Sequence, residues 1–172
     1  AKHNPEAMVM AFGRRRICAP MSRPRCEPST SEPTRTTISP VARAKRLACT
    51  GESGGGTQTF MLGAVDARLA AQAPICMVSH SMQGGCQCEN APGLRVEFSN
   101  MEIAATPAPR RQLLVAATGD WTKTTMSIEG PGVESAYRLL GAREKLHYEI
   151  HDFPHNYNKT SREVVYSWFN HW

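Results

Sequence analysis

The sequence predicts an α/β protein whose sheet is mostly parallel and carries helices on both faces. Short apolar runs that end in glycine or polar residues recur along residues 43–172, and helix-like segments separate them. Strands that alternate with helices are typical of parallel sheets, because each crossover returns the chain to the same end of the sheet. We expect functional groups at the carboxyl ends of these strands.

Four runs are predicted to be strands, in chain order: "RLACTG", "APICMVSH", "RQLLVAATGD" and "KLHYEIHDF". The segment "TQTFMLGAV" soon follows the first run and begins a helix. A second helix is predicted in "GVESAYRLLGA", which Gly141 ends. Its apolar residues have the i, i+3, i+4, i+7 spacing of one helical face: Val133, Ala136, Tyr137 and Leu140.

The segment "TSREVVYSWFNHW" is predicted to be the last helix. Thr160 and Glu163 fit a capping box at its start. Its apolar residues form one stripe, which is typical of a helix packed on a sheet: Val164, Val165, Trp168, Phe169 and Trp172.

Residues 1–42 differ from the rest in composition. They hold six of the twelve prolines and one of the thirteen glycines, and the run "RPRCEPSTSEPTRTTISP" has almost no large apolar side chains. Such a segment cannot bury enough surface to offset chain entropy. We expect residues 1–42 to be disordered or irregular and residues 43–172 to form the folded part.

The net charge of +5 is unevenly distributed. The first fifty residues carry ten Lys/Arg and three Asp/Glu, whereas residues 51–172 carry ten and twelve. The folded part therefore offers no basic face to nucleic acid, although a basic arm in residues 1–46 stays an alternative. No apolar run approaches the ~20 residues of a membrane span, so no membrane-spanning segment is predicted.

The chain has six cysteines, an even number that permits disulfides without requiring them. Cys49 and Cys76 lie in apolar runs and are expected to be buried thiols. Cys86 and Cys88 form a C-x-C that lacks the second ligand pair of a zinc site, so we expect loop thiols or a local disulfide. No metal site is predicted.

The stretch "GESGG" matches G-x-S-x-G between the first strand and the first helix. This pattern is typical of a nucleophile on a sharp strand-to-helix turn, because the glycines let strand and helix approach and leave the hydroxyl of Ser53 exposed. The backbone N–H of Gly54, the residue after the serine, is the expected oxyanion donor.

A serine nucleophile needs a base, and the base needs an acid that orients it. After such a turn the expected chain order is serine, acid, histidine. Asp120 ends the third strand and His155 lies just beyond the fourth, so both fall at the expected edge. This chemistry is acyl transfer and needs no metal or organic cofactor. The weaker candidates are His80, His147, His151, Asp66, Asp152 and Glu129, of which Glu129 is the best rival acid.

The chain resembles the α/β-hydrolase superfamily, and within it the bacterial acetyl xylan esterase-like proteins. Three stretches carry the resemblance: "GESGGGTQTF", "QGGCQCENAPGLR" and "ATGDWTK…HNYNKTSREVVYSWFNHW". The resemblance covers about residues 41–172, which would be the C-terminal portion of such a domain. It implies hydrolysis of small-molecule or carbohydrate esters by Ser53, Asp120 and His155, and it places Cys86 and Cys88 in a family loop.

One departure from the family is large, because its strands before the serine, and the loop that gives a second oxyanion donor, have no counterpart in residues 1–42. The missing strands would leave an exposed parallel sheet edge. Three alternatives follow: the chain is a fragment, a partner such as a second copy in a homo-oligomer covers the edge, or the N-terminal segment packs there in a way the sequence does not reveal. Two alternatives to an acetyl-type esterase stay open: a lactone or dienelactone hydrolase, and a catalytically weak truncated hydrolase that acts as an assembly or binding module.

Overall fold

A computed structural model describes residues 7–11, 47–81, 93 and 95–172 of the chain. A short 3₁₀ helix at Arg143–Lys145 precedes the last strand. The strands and α-helices in these ranges are β1 Ala7–Ala11, β2 Leu47–Glu52, α1 Gly54–Val65, β3 Leu69–Ile75, α2 Asn100–Ala105, β4 Arg111–Gly119, α3 Glu129–Leu139, β5 Leu146–Pro154 and α4 Lys159–His171.

The described strands form one sheet in the order β1-β2-β3-β4-β5. The strands β2 to β5 are parallel, and β1 is antiparallel to β2. The predicted α/β fold with a mostly parallel sheet is therefore confirmed. None of the helices in the described ranges has the length and apolar composition that crossing a bilayer requires.

Helices cover both faces of the sheet, as predicted. On one face, Val165 and Phe169 of α4 pack on buried side chains of the three central strands: Ala48, Ala71, Ala73, Ile75, Leu113, Val115 and Ala117. On the other face, α1, α2 and α3 contribute Phe60, Ala104, Val133 and Tyr137, which pack with Leu114 and Leu146. The alternation of Leu113 and Leu114 between the two clusters is the period-2 pattern of a strand buried on both sides.

The strand β1 lies inside the segment that the sequence predicts to be irregular. It pairs with β2 from Ala7 opposite Gly51 to Ala11 opposite Leu47. The edge of β2 is therefore paired along these residues by part of the N-terminal segment, which is one of the three alternatives that the sequence leaves open. The rest of residues 1–42 lies outside the described residues, as do Cys86 and Cys88. The homo-oligomer stays a prediction.

Two element boundaries differ from the sequence prediction. The strand β3 ends at Ile75 rather than near His80, because the chain turns out of the sheet at Cys76, whose φ is 50°. The helix α4 is capped by Asn158, whose side chain accepts the Ser161 N–H at 3.0 Å. Asparagine is as good an N-cap as threonine. The Thr160–Glu163 capping box is therefore wrong.

The short helix α2 was not predicted. Ser99 and Glu102 form the capping box at its start, with the Ser99 N–H donating to Glu102 Oε2 at 2.8 Å. This helix closes the sheet face that α1 and α3 also cover.

Candidate active site

Ser53 lies on the turn between β2 and α1, at the carboxyl end of β2. Its φ of 57° and ψ of −123° put a non-glycine residue in the positive-φ region, which costs of order 1–3 kcal/mol. The Ser53 N–H donates to the Ile75 carbonyl at 3.1 Å, and the side chain does not cap α1. The turn thus holds the serine in a strained conformation at the edge where the strands end.

Gly51 makes this sharp turn possible. A Cβ atom on Gly51 would lie 2.5 Å from the Gly55 carbonyl oxygen, which no real side chain tolerates. Gly54 is buried as the first residue of α1, at the helix end whose dipole favours negative charge. The start of α1 carries no acidic residue in its first turn, so an oxyanion there would meet no like charge from that turn.

Asp120 follows β4 and reaches His155, which follows β5. Its Oδ2 lies 2.8 Å from His155 Nδ1, and its Oδ1 accepts the Thr122 N–H at 2.6 Å and the Thr122 hydroxyl at 2.5 Å. Only 1% of the Asp120 side chain is exposed. Burial alone would raise the pKa of Asp120, but the hydrogen bonds from His155 and Thr122 outweigh burial and lower it.

The strands β4 and β5 bring these two residues together because they approach closely at their ends. A Cβ atom on Gly119 would lie 2.8 Å from the Phe153 carbonyl oxygen. Gly119 and Pro154 are register partners, so the residues that follow them, Asp120 and His155, leave the sheet side by side.

His155 is half-buried and contacts groups at the carboxyl ends of β2, β3 and β4. The Trp121 ring lies 4.4 Å from its ring, between centroids. Burial opposes the charged imidazolium, but hydrogen bonds with Asp120, Cys76 and Glu52 raise the pKa of His155 to about 11. The imidazolium form is therefore the stable one at neutral pH in this arrangement.

Glu52 also belongs to this site, although the sequence did not predict it. Its Oε1 lies 2.7 Å from His155 Nε2, the ring nitrogen opposite the one that contacts Asp120. The only signal in the sequence is that Glu52 directly precedes Ser53 in the "GESGG" turn. Its contact with His155 shows that the serine turn and the histidine loop meet.

The best rival acid, Glu129, binds a different histidine. Its fully buried carboxylate accepts the His80 backbone N–H at 3.1 Å and the Thr124 hydroxyl at 3.1 Å, and it contacts His80 Nδ1 at 2.7 Å. Glu129 and His80 thus form a second histidine–carboxylate pair outside the Asp120–His155 pair.

The other candidate acids and histidines contact residues other than His155. Asp66 ends α1 and pairs with Arg68 at 2.7 Å, and Asp152 accepts the Thr118 hydroxyl at 2.6 Å. His147 and His151 both contact Glu149 on β5, at 3.2 and 2.8 Å. None of these contacts involves His155.

Cys76, Asp120 and His155 place one potential ligand atom each within 4.8 Å of one another. Burial raises the pKa of the Cys76 thiol more than its contact with His155 lowers it. Both ring nitrogens of His155 are already engaged, Nδ1 by Asp120 and Nε2 by Glu52. The cluster therefore fits a hydrogen-bonded site better than a metal site, and the prediction that no cofactor is needed stays a prediction.

Several solved esterase structures resemble the chain. Methylesterase BT1017 matches over 70% of this chain with 34% sequence identity and a TM-score of 0.65. A carbohydrate esterase family 15 glucuronoyl esterase from Caldicellulosiruptor kristjansonii matches over 70% with 17% identity and a TM-score of 0.55. The glucuronoyl esterase catalytic domain from Hypocrea jecorina matches over 69% with 17% identity and a TM-score of 0.51.

The chain carries part of an α/β-hydrolase fold. It spans 28% of the methylesterase and 41% of each of the two glucuronoyl esterases. No protein-family model matches it, and no curated protein does. In this hydrolase fold, the serine turn, Asp120 and His155 follow the carboxyl ends of β2, β4 and β5, as the sequence predicts, and β3 lies between β2 and β4. The expected resemblance is confirmed at the level of the superfamily.

Proposed function

We propose that the chain acts as a serine esterase on small acyl esters of the acetyl type. Ser53 is the nucleophile, His155 the general base, Asp120 the acid that orients it, and Gly54 the oxyanion donor. One observation carries the proposal: Asp120 and the residue that directly precedes Ser53 both contact His155. The names of the similar structures, all esterases, support it.

The proposed reaction proceeds in two halves. Neutral His155 accepts the Ser53 hydroxyl proton at Nε2 while Ser53 Oγ attacks the ester carbonyl, and the carbonyl oxygen becomes an oxyanion that accepts the Gly54 N–H. The tetrahedral intermediate collapses, the alcohol leaves with the proton from His155, and Ser53 stays acylated. Water then attacks the acyl carbonyl while His155 accepts one of its protons. The bond to Ser53 Oγ breaks, the carboxylic acid leaves, and His155 returns the proton to Ser53.

Asp120 has a defined part in this sequence. Its contact with Nδ1 keeps that nitrogen protonated, so that in the neutral ring the lone pair lies on Nε2. The hydrogen bonds from Thr122 hold the carboxylate in one orientation. Asp120 also stabilises the imidazolium that forms during each half-reaction.

A methyl ester of a sugar acid is a second candidate substrate. It is favoured by the likeness at 34% identity to a methylesterase. An acetylated sugar carries the sugar on the alcohol side of the ester, whereas a methyl uronate carries it on the acyl side. The two substrates therefore release different small products, acetate and methanol.

Hydrolysis assays with three purified proteins test the proposal. Wild type, Ser53→Ala and the control Ser135→Ala are assayed on a chromogenic acetate, a methyl uronate and a lactone. Ser135 is an exposed serine whose hydroxyl donates to the Gly132 carbonyl at 2.6 Å. We expect Ser53→Ala to lose a factor on the order of 10³ or more and Ser135→Ala to keep the wild-type rate. Equal rates in all three proteins would contradict the proposal.

The substrate profile separates the remaining alternatives. Acetate release supports the acetyl-type esterase, methanol release the sugar-acid methylesterase, and turnover of the lactone alone the lactone hydrolase. A folded wild type without turnover of any ester supports the assembly or binding module.

A further inference from the structure

Both ring nitrogens of His155 face a carboxylate. Asp120 Oδ2 lies 2.8 Å from Nδ1, and Glu52 Oε1 lies 2.7 Å from Nε2. A carboxylate accepts hydrogen bonds and donates none when ionised, so both contacts are satisfied together only if both ring nitrogens carry protons. The structure is therefore that of an imidazolium held between two carboxylates.

This arrangement conflicts with the step proposed for His155. The proton of Ser53 needs a lone pair on Nε2. While Nε2–H donates to Glu52, no lone pair is available there. Glu52 directly precedes Ser53 in the strained turn. The residue that occupies Nε2 of His155 and the residue that must give Nε2 its proton are therefore neighbours in sequence.

Within the part of the chain that the structure describes, no cation forms an ion pair with a carboxylate that contacts His155. The groups that face it are Glu52 from β2, the Cys76 thiol from the loop after β3, and Asp120 with the Trp121 ring after β4. Tyr157 lies on the same loop as His155 and interacts electrostatically with Glu52 and with Arg162 of α4. The two carboxylates thus dominate the electrostatics of the ring.

We propose that Glu52 is a positioning residue that holds His155 in its protonated form, so that the reaction proceeds only after Glu52 releases Nε2. This inference rests on the proposed esterase function. The Glu52 side chain is 21% exposed, so it borders solvent. Release follows either from loss of the Nε2 proton at high pH or from displacement of the Glu52 carboxylate when an ester enters beside Ser53.

The variant Glu52→Gln isolates the charge. Glutamine keeps the length of the side chain and an oxygen that accepts the Nε2–H bond, but it does not stabilise an imidazolium as a carboxylate does. Glu149→Gln is the matched control, because Glu149 contacts two histidines of β5, His147 and His151, and does not touch His155. Both variants remove one carboxylate charge from a histidine contact.

The first readout does not depend on activity. The ring ¹⁵N resonances of His155, assigned with His155→Gln, are followed by NMR across pH. We expect wild-type His155 to titrate well above the ordinary histidine pKa of ~6.5, and Glu52→Gln to lower its midpoint by more than one pH unit. Glu149→Gln should leave the midpoint in place. A neutral His155 ring in the wild type at pH 8 would overturn the inference even if Glu52→Gln failed to fold.

The second readout is the pH dependence of ester hydrolysis. We expect the pH of half-maximal kcat/KM to fall in Glu52→Gln by the same interval as the NMR midpoint, so that activity near pH 7 rises at least tenfold. A shifted NMR midpoint without hydrolysis in any protein would support the Glu52 inference and contradict the esterase. Hydrolysis with unchanged midpoint and pH profile in Glu52→Gln would overturn the Glu52 inference and keep the esterase.

Discussion

Asp120 and His155 are 35 residues apart in sequence, yet Asp120 Oδ2 lies 2.8 Å from His155 Nδ1. They meet because β4 and β5 are parallel neighbours whose ends pack without a side chain at Gly119. The fold thus brings an acid and a histidine together at the sheet edge to which β2 also delivers the strained Ser53 turn.

Replacing Asp120 by asparagine should remove most of the esterase activity without unfolding the protein. Asparagine cannot stabilise the imidazolium, and its amide can hold the ring in the wrong tautomer, so we expect kcat to fall by on the order of 10³–10⁴. Asp152→Asn is the control, since Asp152 is an acid of β5 that contacts Thr118 instead of His155. Comparable losses in both variants, measured as kcat on the same ester, would contradict the assigned role of Asp120.

The turn before Ser53 should tolerate no side chain at Gly51. A methyl group there would meet backbone atoms of Gly55 at 2.5 Å, and neither segment can move away without shifting β2 or α1. We expect Gly51→Ala to lower the free energy of unfolding by about 3 kcal/mol or more.

Gly141→Ala is the matched control for that substitution. Gly141 differs from Gly51 in having a left-handed backbone, with φ of 63°, and a Cβ atom there would meet nothing within 4 Å. We expect its cost to be about 1 kcal/mol, from the left-handed backbone alone. Chemical denaturation of both variants measures the difference, and equal costs would show that strand and helix are not in close contact at Gly51.

Glu134 should stabilise the fold in a pH-dependent way. It contacts Arg138 at 2.5 Å, Arg143 at 2.6 Å and the Tyr148 hydroxyl at 3.0 Å. Burial raises the pKa of Glu134, but these hydrogen bonds outweigh it, so the pKa is lower in the folded protein than in the unfolded chain. Its contribution is then present above the unfolded pKa of ~4.3 and is lost as the pH falls through the folded pKa.

Glu134→Gln measures this contribution. Because both arginines are largely exposed, we expect the variant to lose only about 1 kcal/mol of unfolding free energy at pH 7. The difference from wild type should shrink below about pH 4, as Glu134 becomes protonated. Glu144→Gln, at an exposed glutamate nearby, should leave stability unchanged. A difference that grows toward low pH would contradict the sign of the pKa shift.

The sequence predicted the features that depend on local pattern. The aliphatic run of β4 depends on local spacing alone, so it was found close to its observed bounds. The helix α3 was also found, but it begins at Glu129 rather than at Gly132, and Leu140 of its predicted apolar face is 56% exposed. The order of Ser53, Asp120 and His155 could be read because each directly follows a strand, and parallel strands end at one edge.

The features that depend on contacts between distant residues could not be predicted from local sequence patterns. The strand β3 begins at Leu69 with small residues and Gln72, whose amide is buried against Gln112 of β4, and such a pairing has no local signature. Glu52, at the end of β2, likewise contacts His155, which follows β5. That contact was missed because a G-x-S-x-G pattern does not specify where its second residue points.

Labelling with a fluorophosphonate tests the central claim, that Ser53 is a nucleophile activated by His155 and Asp120. An activated serine displaces fluoride from phosphorus and keeps the phosphonate as an ester of its oxygen. The labelling reaction is run between pH 7 and 10, and peptide mapping by mass spectrometry then locates the label. We predict a single phosphonate on Ser53 in the wild type, and labelling at least a hundredfold slower in Asp120→Asn. Ser53 left unlabelled in the folded wild type, or labelled at the same rate in Asp120→Asn, would contradict the claim.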